Sequence, residues 1–217
     1  MTHQLTRRHV LALTSGAAAL AATGLNAETT TTPAAIDPAT IQDIGIGDTA
    51  AKVKMVEYLS FTCPHCMRFH RDVYPRLKAD YIDTGKVRLE YHEVYFDQLG
   101  LLGAMLARCG GEMRYFGITD LLYDKQMDWA AAETLDAAVA ALKKIGLSAG
   151  LDDAAMEVCL HDQPMAEALV AHYQKNIETD FPNDSFGGTP SFLINGTQYG
   201  NMEYADLQAI LDAELAK

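Results

Sequence analysis

Four cysteines give this sequence its clearest capacity for chemistry, because two neighbouring thiols can be oxidised reversibly to a disulfide. Cys63 and Cys66 enclose Pro64 and His65 in a Cys-Pro-His-Cys motif, directly after an apolar and aromatic run at 53–60. The run predicts a strand, and the motif then forms the first turn of a helix, where Pro64 costs no hydrogen bond. The N–H groups and dipole at a helix N-terminus stabilise an anion, so we predict a thiolate at Cys63, with His65 as an added donor.

A stabilised thiolate favours the reduced form of the pair, so the oxidised pair should pass its disulfide on readily. An inert, buried bridge is one alternative. A zinc site is another, because Cys63, Cys66 and His70 have ligand-like spacing, but no second Cys-x-x-Cys and no clustered histidine pair offers a fourth ligand. We therefore predict redox chemistry with no metal and no cofactor beyond the Cys63–Cys66 disulfide, and we place His70 on an exposed helix face.

An acidic residue interrupts the apolar face of the strand before the motif. Val53, Met55, Glu57 and Leu59 alternate along the strand and so share one face. We predict that Glu57 is buried beneath the cysteines, where desolvation raises its pKa and where it accepts a proton from Cys66 through water. A different strand register would leave Glu57 in solvent.

The first 27 residues have the pattern of an export signal. Arg7 and Arg8 precede an uncharged stretch, residues 10–25, and small residues follow it before the first acid. The arginine pair favours a twin-arginine signal, with an ordinary secretory signal or a retained anchor as alternatives. We predict that residues 1–27 direct the chain to the periplasm and that residues 28–40 form a flexible lead-in.

The other two cysteines, Cys109 and Cys159, also have a use in an oxidising compartment. Each lies on the apolar stripe of a predicted helix, so both should face the inside of a helical block. A structural disulfide between them would close a loop of about 50 residues and contribute roughly 3–4 kcal/mol. The alternative is a pair of buried free thiols.

The predicted elements follow the order strand, helix, strand, helical block, hairpin and helix, which indicates an α/β fold. The predicted strands are 41–46, 53–60, 86–95, 191–194 and 197–199. A helix follows the motif to about Tyr81 with a kink at Pro75, another should end at Gly146, and an amphipathic helix covers residues 207–215. We assign 41–96 and 185–217 to one domain and 97–184 to an inserted helical domain.

Composition narrows the possible partners. The chain of 217 residues has 17 basic and 29 acidic side chains, a net charge of −12, and it has no basic stripe. Such a surface repels phosphate backbones, so nucleic acid is excluded as a partner. A hydrophobic content of 49% suits a compact core.

Two segments carry a resemblance to a known family, residues 56–66 (Val-Glu-Tyr-Leu-Ser-Phe-Thr-Cys-Pro-His-Cys) and residues 188–192 (Gly-Thr-Pro-Ser-Phe). They resemble the DsbA-type thiol:disulfide oxidoreductases, and the resemblance covers nearly all of the chain after the export signal. It implies a thioredoxin-like fold with a helical domain inserted between the second core strand and the C-terminal hairpin. Cys109 and Cys159 resemble the second disulfide of an alphaproteobacterial branch of this family.

The resemblance also implies roles for individual residues. Cys63 would be the exposed nucleophile and Cys66 its buried partner. Pro190 would be a cis-proline facing the dithiol, and Thr189 would offer backbone groups to an extended substrate. Glu57 matches the buried acid of the family.

One position departs from the family pattern, because Glu90 lies where some members have a lysine near the buried acid. This substitution puts the charge balance beneath the dithiol in doubt, unless Glu90 faces solvent.

The implied function is that of a periplasmic oxidase that introduces disulfides into unfolded or reduced exported proteins. A quinone-linked membrane protein of the DsbB type would reoxidise it, and we expect a monomer. A reductase or isomerase of the same fold is the first alternative, which Thr189 before the proline keeps open. A non-catalytic, metal-carrying thioredoxin-like protein is the second.

Overall fold

The computed structural model describes residues 36–217. The predicted export signal, residues 1–27, and residues 28–35 of the predicted lead-in lie outside the described residues. The last part of that lead-in is ordered as a 3₁₀ turn, Pro38–Thr40, because the side chain of Asp37 accepts a hydrogen bond from the N–H of Ala39 at 2.9 Å. The described chain thus begins with a capped turn before the first strand.

The described residues form a five-stranded mixed sheet with the order β1-β3-β2-β4-β5. The strands are β1 Ile44–Ile46, β2 Val53–Leu59, β3 Val87–Glu93, β4 Ser191–Ile194 and β5 Thr197–Tyr199. Only the β2–β3 pair is parallel, and its crossover carries the helices that follow the Cys-Pro-His-Cys motif. This arrangement confirms the predicted α/β, thioredoxin-like fold class.

Strand β2 owes its central position to its apolar residues. Val53, Met55 and Leu59 are at most 1% exposed, and their alternation matches the period of a strand. The same alternation buries Val87 and Leu89 in β3. Strand β2 therefore delivers its C-terminal end, and the motif after it, to the edge of a rigid layer.

The helix after the motif is broken, as predicted, although the break precedes the proline. Helix α1 covers Pro64–Asp72, α2 covers Tyr74–Leu77, and a π-helical turn follows at Lys78–Ile82. The break falls at Val73, two residues before Pro75, because a proline inside a helix removes a backbone donor and crowds the preceding turn.

Six helices lie between β3 and β4. They are α3 Gln98–Cys109, α4 Glu112–Asp124, α5 Gln126–Trp129, α6 Leu135–Ser148, α7 Asp153–Leu160 and α8 Gln163–Asp180, with a 3₁₀ turn at Pro182–Asp184. Side chains that accept hydrogen bonds from the first turn begin four of them: Asp97, Thr134, Asp152 and Asp162. Helix α9, Tyr204–Ala216, closes the described chain and packs on β2 and α2.

The prediction that a helix ends at Gly146 is wrong. Helix α6 continues to Ser148, and Gly150, with φ +77°, follows its end. Gly146 instead allows close packing, since a Cβ at this position would overlap Met156 Sδ. None of the helices in residues 36–217 has the length and apolar character needed to span a membrane.

Candidate active site

Cys63 and Cys66 lie at the junction of β2 and α1. Cys63 is the N-cap residue of α1, Pro64 occupies the first helical position, and no side chain caps the helix. The N–H groups of His65 and Cys66, in the first turn of α1, interact with the Cys63 sulfur. Cys63 is half-buried, whereas Cys66 is fully buried one turn further along.

The two thiols differ in acidity. A hydrogen bond from the Cys66 thiol is the largest of the interactions that lower the pKa of Cys63 to about 5, and the backbone N–H groups of Cys66 and His65 add to it. Burial, followed by interactions with Cys63, raises the pKa of Cys66 well above its usual range. One sulfur thus carries the charge and its partner holds the proton.

His65 is exposed between the two cysteines. Its Nδ1 lies 2.8 Å from a guanidinium nitrogen of Arg68. Arginine has only donors, so Nδ1 accepts this hydrogen bond and the neutral ring carries its hydrogen on Nε2. The predicted donor at this position is therefore the Nε2–H group.

The loop before β4 faces the dithiol. The Thr189–Pro190 peptide bond is cis, and the Thr189 carbonyl oxygen lies 3.2 Å from Cys63 Sγ. Gly188 has φ +107°, a conformation that favours glycine, and its carbonyl accepts a hydrogen bond from the Ser191 hydroxyl at 2.6 Å. The structure thus brings the two predicted substrate-binding residues next to Cys63.

An open cavity of about 680 Å³ lies between these elements. Cys63, His65, Thr189 and Pro190 line it together with Phe96 and residues of the β4–β5 hairpin. Phe96 was not singled out in the sequence, yet it is 57% exposed at this rim. It offers an apolar surface beside the reactive sulfur.

Glu57 is buried, as its alternation with the apolar residues of β2 predicts. It is 2% exposed, and burial, followed by the negative charge of Cys63, raises its pKa to about 8. Its Oε2 atom has no hydrogen-bond partner among the described residues. A carboxyl group with a pKa of about 8 is protonated near neutral pH and is able to exchange its proton with a neighbouring group.

Glu90 does not alter the charge beneath the dithiol. Glu57 is paired with Tyr91 in the β2–β3 register, so the neighbouring Glu90 projects from the opposite face of the sheet. There its carboxylate lies 3.6 Å from Arg88, with a side-chain exposure of 42%. The residue beside the buried acid is a tyrosine.

A second buried carboxylate, Glu93, has the opposite environment. Arg108 donates to it at 2.8 Å, Tyr95 at 2.6 Å and Tyr115 at 2.7 Å. This network joins the end of β3 to α3 and α4, and it compensates the buried charge. Glu57, which lacks such partners among the described residues, is the carboxyl group suited to proton transfer.

The helical segment holds the loop before Cys63 through residues that the sequence did not reveal. Gln126 Nε2 donates to the carbonyl oxygens of Phe61, at 2.8 Å, and Cys63, at 3.0 Å. The Thr62 hydroxyl donates to Asp97 at 2.7 Å. No motif marks Gln126, because its partners lie more than 60 positions earlier in the chain.

Cys109 and Cys159 join α3 to α7 through a disulfide. The S–S distance is 2.01 Å and the Cα atoms are 6.0 Å apart. Both residues are half-buried, so the pair lies near the surface of the helical segment and not inside it as the apolar stripes predict.

The placement of His70 on an exposed helix face is wrong. Its side chain is 11% exposed, its ring stacks on Tyr74 with centroids 4.5 Å apart, and its Nε2 lies 2.7 Å from Asp120 Oδ1. Within residues 36–217 no group of three or more His, Cys, Asp or Glu side chains is arranged to hold a metal ion.

The fold and the dithiol site define the class of this protein: the chain belongs to the thioredoxin family, whose model, described as Thioredoxin, matches residues 39–213. Within that family it is similar to the DsbA-type proteins. The crystal structure of Wolbachia pipientis alpha-DsbA1 shares 26% of its residues with this chain and superposes with a TM-score of 0.73, covering 81% of this chain and 92% of that one.

Two relatives have names that describe thiol chemistry. One from Rickettsia bellii (strain RML369-C), provisionally named a protein-disulfide oxidoreductase, is 33% identical over 171 residues, 78% of this chain and 63% of that protein. One from Bacillus anthracis, provisionally named disulfide bond formation protein D, is 30% identical over 192 residues, 82% of this chain and 80% of that protein. The chain thus spans less than two thirds of the Rickettsia relative. These similarities confirm the resemblance of the chain to the DsbA-type thiol:disulfide oxidoreductases.

Proposed function

We propose that this protein is a thiol:disulfide oxidoreductase that works as an oxidase, donating the Cys63–Cys66 disulfide to reduced proteins. The observation that carries the proposal is the difference between the two thiols, a pKa lowered to about 5 at Cys63 and raised at Cys66. A thiolate stabilised in this way favours the reduced protein, so the oxidised protein is a strong disulfide donor.

The first step of the proposed reaction is the attack of a substrate thiolate on Cys63 Sγ. Cys63 is the accessible sulfur, since Cys66 is fully buried. The Cys63–Cys66 bond breaks, a mixed disulfide forms, and the Cys66 sulfur leaves with the electron pair. Glu57, which is protonated near neutral pH, supplies the proton that Cys66 then holds.

In the second step, another substrate thiolate attacks the substrate sulfur of the mixed disulfide. Cys63 leaves as a thiolate, which the start of α1 stabilises. The substrate is then oxidised by two electrons and the protein is reduced by two. The carbonyl of Thr189 and the adjacent open cavity offer the extended substrate backbone a place to bind beside Cys63.

The cellular setting is part of the proposal. The pattern of residues 1–27 supports export to the periplasm by the twin-arginine route, and the Cys109–Cys159 bridge suits an oxidising compartment. The substrates would be unfolded exported proteins with paired cysteines. A DsbB-type, quinone-linked membrane protein would restore the disulfide of a monomeric enzyme.

A transfer experiment tests the direction of the reaction. The oxidised protein is mixed with an equimolar amount of a reduced, unfolded protein that has two cysteines, and thiols are counted by alkylation and mass. An oxidase leaves the disulfide on the unfolded protein. If the disulfide stays on Cys63–Cys66, and the reduced form instead cleaves the disulfide of the oxidised unfolded protein, the chain is a reductase or isomerase.

A further inference from the structure

The reaction described above leaves unused a group of polar residues on α1 and α4, none of which lines the substrate cavity. His70 of α1 is packed between two tyrosine rings, with centroid distances of 4.5 Å to Tyr74 and 4.8 Å to Tyr123. Its Nε2 lies 2.7 Å from Asp120 of α4, whose side chain is 58% exposed. A largely buried imidazole thus contacts a carboxylate that reaches solvent.

These residues line a cavity of about 420 Å³ that is open to solvent. His70, Tyr74, Tyr123 and Asp120 form part of its wall. The other charged side chains around it are Arg71 and Lys78 on the α1–α2 side and Asp124 on α4. A small aromatic base such as imidazole is of a size to enter this space.

The inner side of the same group reaches the buried acid. Glu57 and Tyr91 are paired across β2 and β3 and share one face of the sheet. The ring of Tyr91 lies 6.5 Å from that of Tyr74, which stacks on His70. After burial, the charges of Asp120 and Glu57 are the largest influences that raise the pKa of Tyr74, so this tyrosine is within electrostatic reach of both carboxyl groups.

Unpaired buried polar atoms occur on the elements that carry Glu57 and the partner of His70. Glu57 Oε2, the Tyr91 hydroxyl and the Thr119 hydroxyl each lack a hydrogen-bond partner among the residues that the structure describes. They come from three neighbouring elements, β2, β3 and α4, and Thr119 directly precedes Asp120. A buried polar group without a hydrogen bond lowers the stability of the folded protein. Three such groups on neighbouring elements therefore indicate a functional role for this cluster.

We propose that His70 and Asp120 form the solvent end of a proton path that begins at Cys66 and passes through Glu57 and the buried hydroxyl groups. The proposal rests on the proposed exchange of a proton between Glu57 and Cys66, in which Glu57 gives the proton to Cys66 when the disulfide is reduced and takes it back when the disulfide forms again. His70 acts through Glu57 and touches neither the substrate nor the reacting sulfurs. It is a positioning residue that receives the proton inside and passes it to water through Asp120.

The path is needed whenever the reduced pair is reoxidised. With oxidised glutathione, the Cys63 thiolate first attacks one glutathione sulfur and releases a glutathione thiolate. Cys66 then loses its proton and attacks Cys63 Sγ, which closes the internal disulfide and releases the second glutathione thiolate. One proton leaves the protein for each disulfide formed, and it starts from a thiol that is 0% exposed.

Rapid-quench kinetics separate these two steps. Reduced protein is mixed with increasing oxidised glutathione, quenched in acid, alkylated and analysed by mass. The first step gives a second-order rate, and the ring closure gives the plateau at high glutathione. We expect His70→Ala and His70→Phe to lower the plateau about tenfold at pH 7 and to leave the first step unchanged within about twofold.

Imidazole then distinguishes a proton role from a structural one. Added imidazole should restore the plateau of His70→Ala, because the open cavity admits it, but not that of His70→Phe, whose ring fills the space. His161→Phe is a matched control, since it removes a surface histidine that contacts Glu157. If the histidine variants prove unstable, Asp120→Asn, at the solvent end, should lower the plateau severalfold in a folded protein.

Unchanged plateaus in the His70 and Asp120 variants would overturn the path and would indicate that the proton leaves along the substrate cavity. A slow His70→Ala protein that imidazole does not restore would also overturn it. Neither result depends on whether the wild-type protein donates or accepts disulfides in the transfer experiment. Failure of this inference is therefore distinct from failure of the proposed function.

Discussion

The two cysteine pairs of this protein occupy opposite ends of their helices. Cys63 precedes the first turn of α1, where free N–H groups stabilise a negative sulfur. Cys109 is the last residue of α3, and Cys159 is next to last in α7. At those ends the helix dipole opposes a thiolate.

The sulfurs of the two pairs also differ in the backbone groups that surround them. Backbone N–H groups help to lower the pKa of Cys63 to about 5. Carbonyl oxygens lie near the sulfurs of both pairs, since Thr189 is 3.2 Å from Cys63. Ala155 is 3.8 Å from Cys109, and Met105 is 4.0 Å from Cys159. The N–H groups at the start of α1 are therefore the feature that distinguishes Cys63. We infer that the position of a cysteine in its helix influences whether its disulfide is passed on or kept. The Cys109–Cys159 bridge also spans 50 residues, so it lowers the chain entropy of the unfolded protein.

Removal of the Cys63 sulfur at the helix N-terminus should have the largest effect on activity. We expect Cys63→Ser to lower the rate of dithiol oxidation about a thousandfold or more, because no other accessible sulfur of the Cys63–Cys66 pair remains. Oxidation of a two-cysteine peptide, followed by mass, measures the rate. Cys66→Ser is the matched control: with oxidised glutathione, its Cys63 thiolate should attack one glutathione sulfur, release a glutathione thiolate and accumulate as the mixed disulfide. A Cys63→Ser protein that retains a tenth of the wild-type rate would assign the activity to the other pair.

Removal of the second bridge should affect stability alone. For the double variant Cys109→Ala/Cys159→Ala we expect the free energy of unfolding to fall by roughly 3–4 kcal/mol, since a loop of about 50 residues becomes free in the unfolded chain. Denaturant titration measures this loss. The rate of exchange at Cys63 should stay within about twofold of the wild-type rate. A large fall in exchange without a loss of stability would show that the two pairs are not separate in function.

Gln126 joins α5 to the segment that carries Cys63, and its removal should lower the stability of the protein. Gln126→Leu leaves the carbonyl oxygens of Phe61 and Cys63 without their donor in a buried position. We expect the free energy of unfolding to fall by about 3 kcal/mol. Gln163→Leu, which removes only a surface hydrogen bond to Glu167, should cost less than about 0.5 kcal/mol. Equal losses in the two variants would show that the hydrogen bonds of Gln126 do not stabilise the segment around Cys63.

Glu57 should make stability depend on pH in a direction opposite to that of an ordinary buried ion pair. Its pKa is about 8 in the folded protein and near 4.5 when unfolded, so folding loses stability as the pH rises from about 4.5 towards 8. Glu57→Gln removes this loss. The variant should gain about 2 kcal/mol over the wild type between pH 4.5 and pH 6.

Denaturant titrations at the two pH values measure the difference. Glu93→Gln is the contrasting variant, because Glu93 is paired with Arg108, and its loss leaves a buried positive charge. We expect Glu93→Gln to destabilise the protein at pH 6. A Glu57→Gln protein whose advantage does not grow with pH would show that Glu57 is not held in its protonated form.

The sequence predicted the parts of the site that depend on local pattern. The Cys-Pro-His-Cys motif after an apolar run indicates a helix N-terminus, and the alternation along β2 places Glu57 on the buried face. Both signals lie within about ten residues, where strand and helix periods decide which way a side chain points. The fold class follows from the same periods together with the family resemblance.

Other features depend on contacts between distant residues and left no local signal. His70 is covered because Asp120 and Tyr123 pack on it from α4, 50 positions later. Gly146 resembles a helix end in the sequence, yet it serves the approach of Met156 from α7. Partners of this kind are set by how the helices pack, which a single sequence does not reveal.

The reduction potential of each pair tests the central claim most directly. The protein is equilibrated in glutathione buffers, alkylated and digested. Mass spectrometry of the peptides then gives the reduced fraction of each cysteine separately. The contrast between the helix ends predicts a potential of roughly −120 to −150 mV for Cys63–Cys66, with Cys109–Cys159 still oxidised below about −250 mV. A value of about −250 mV or lower for Cys63–Cys66, or equal potentials for the two pairs, would contradict it.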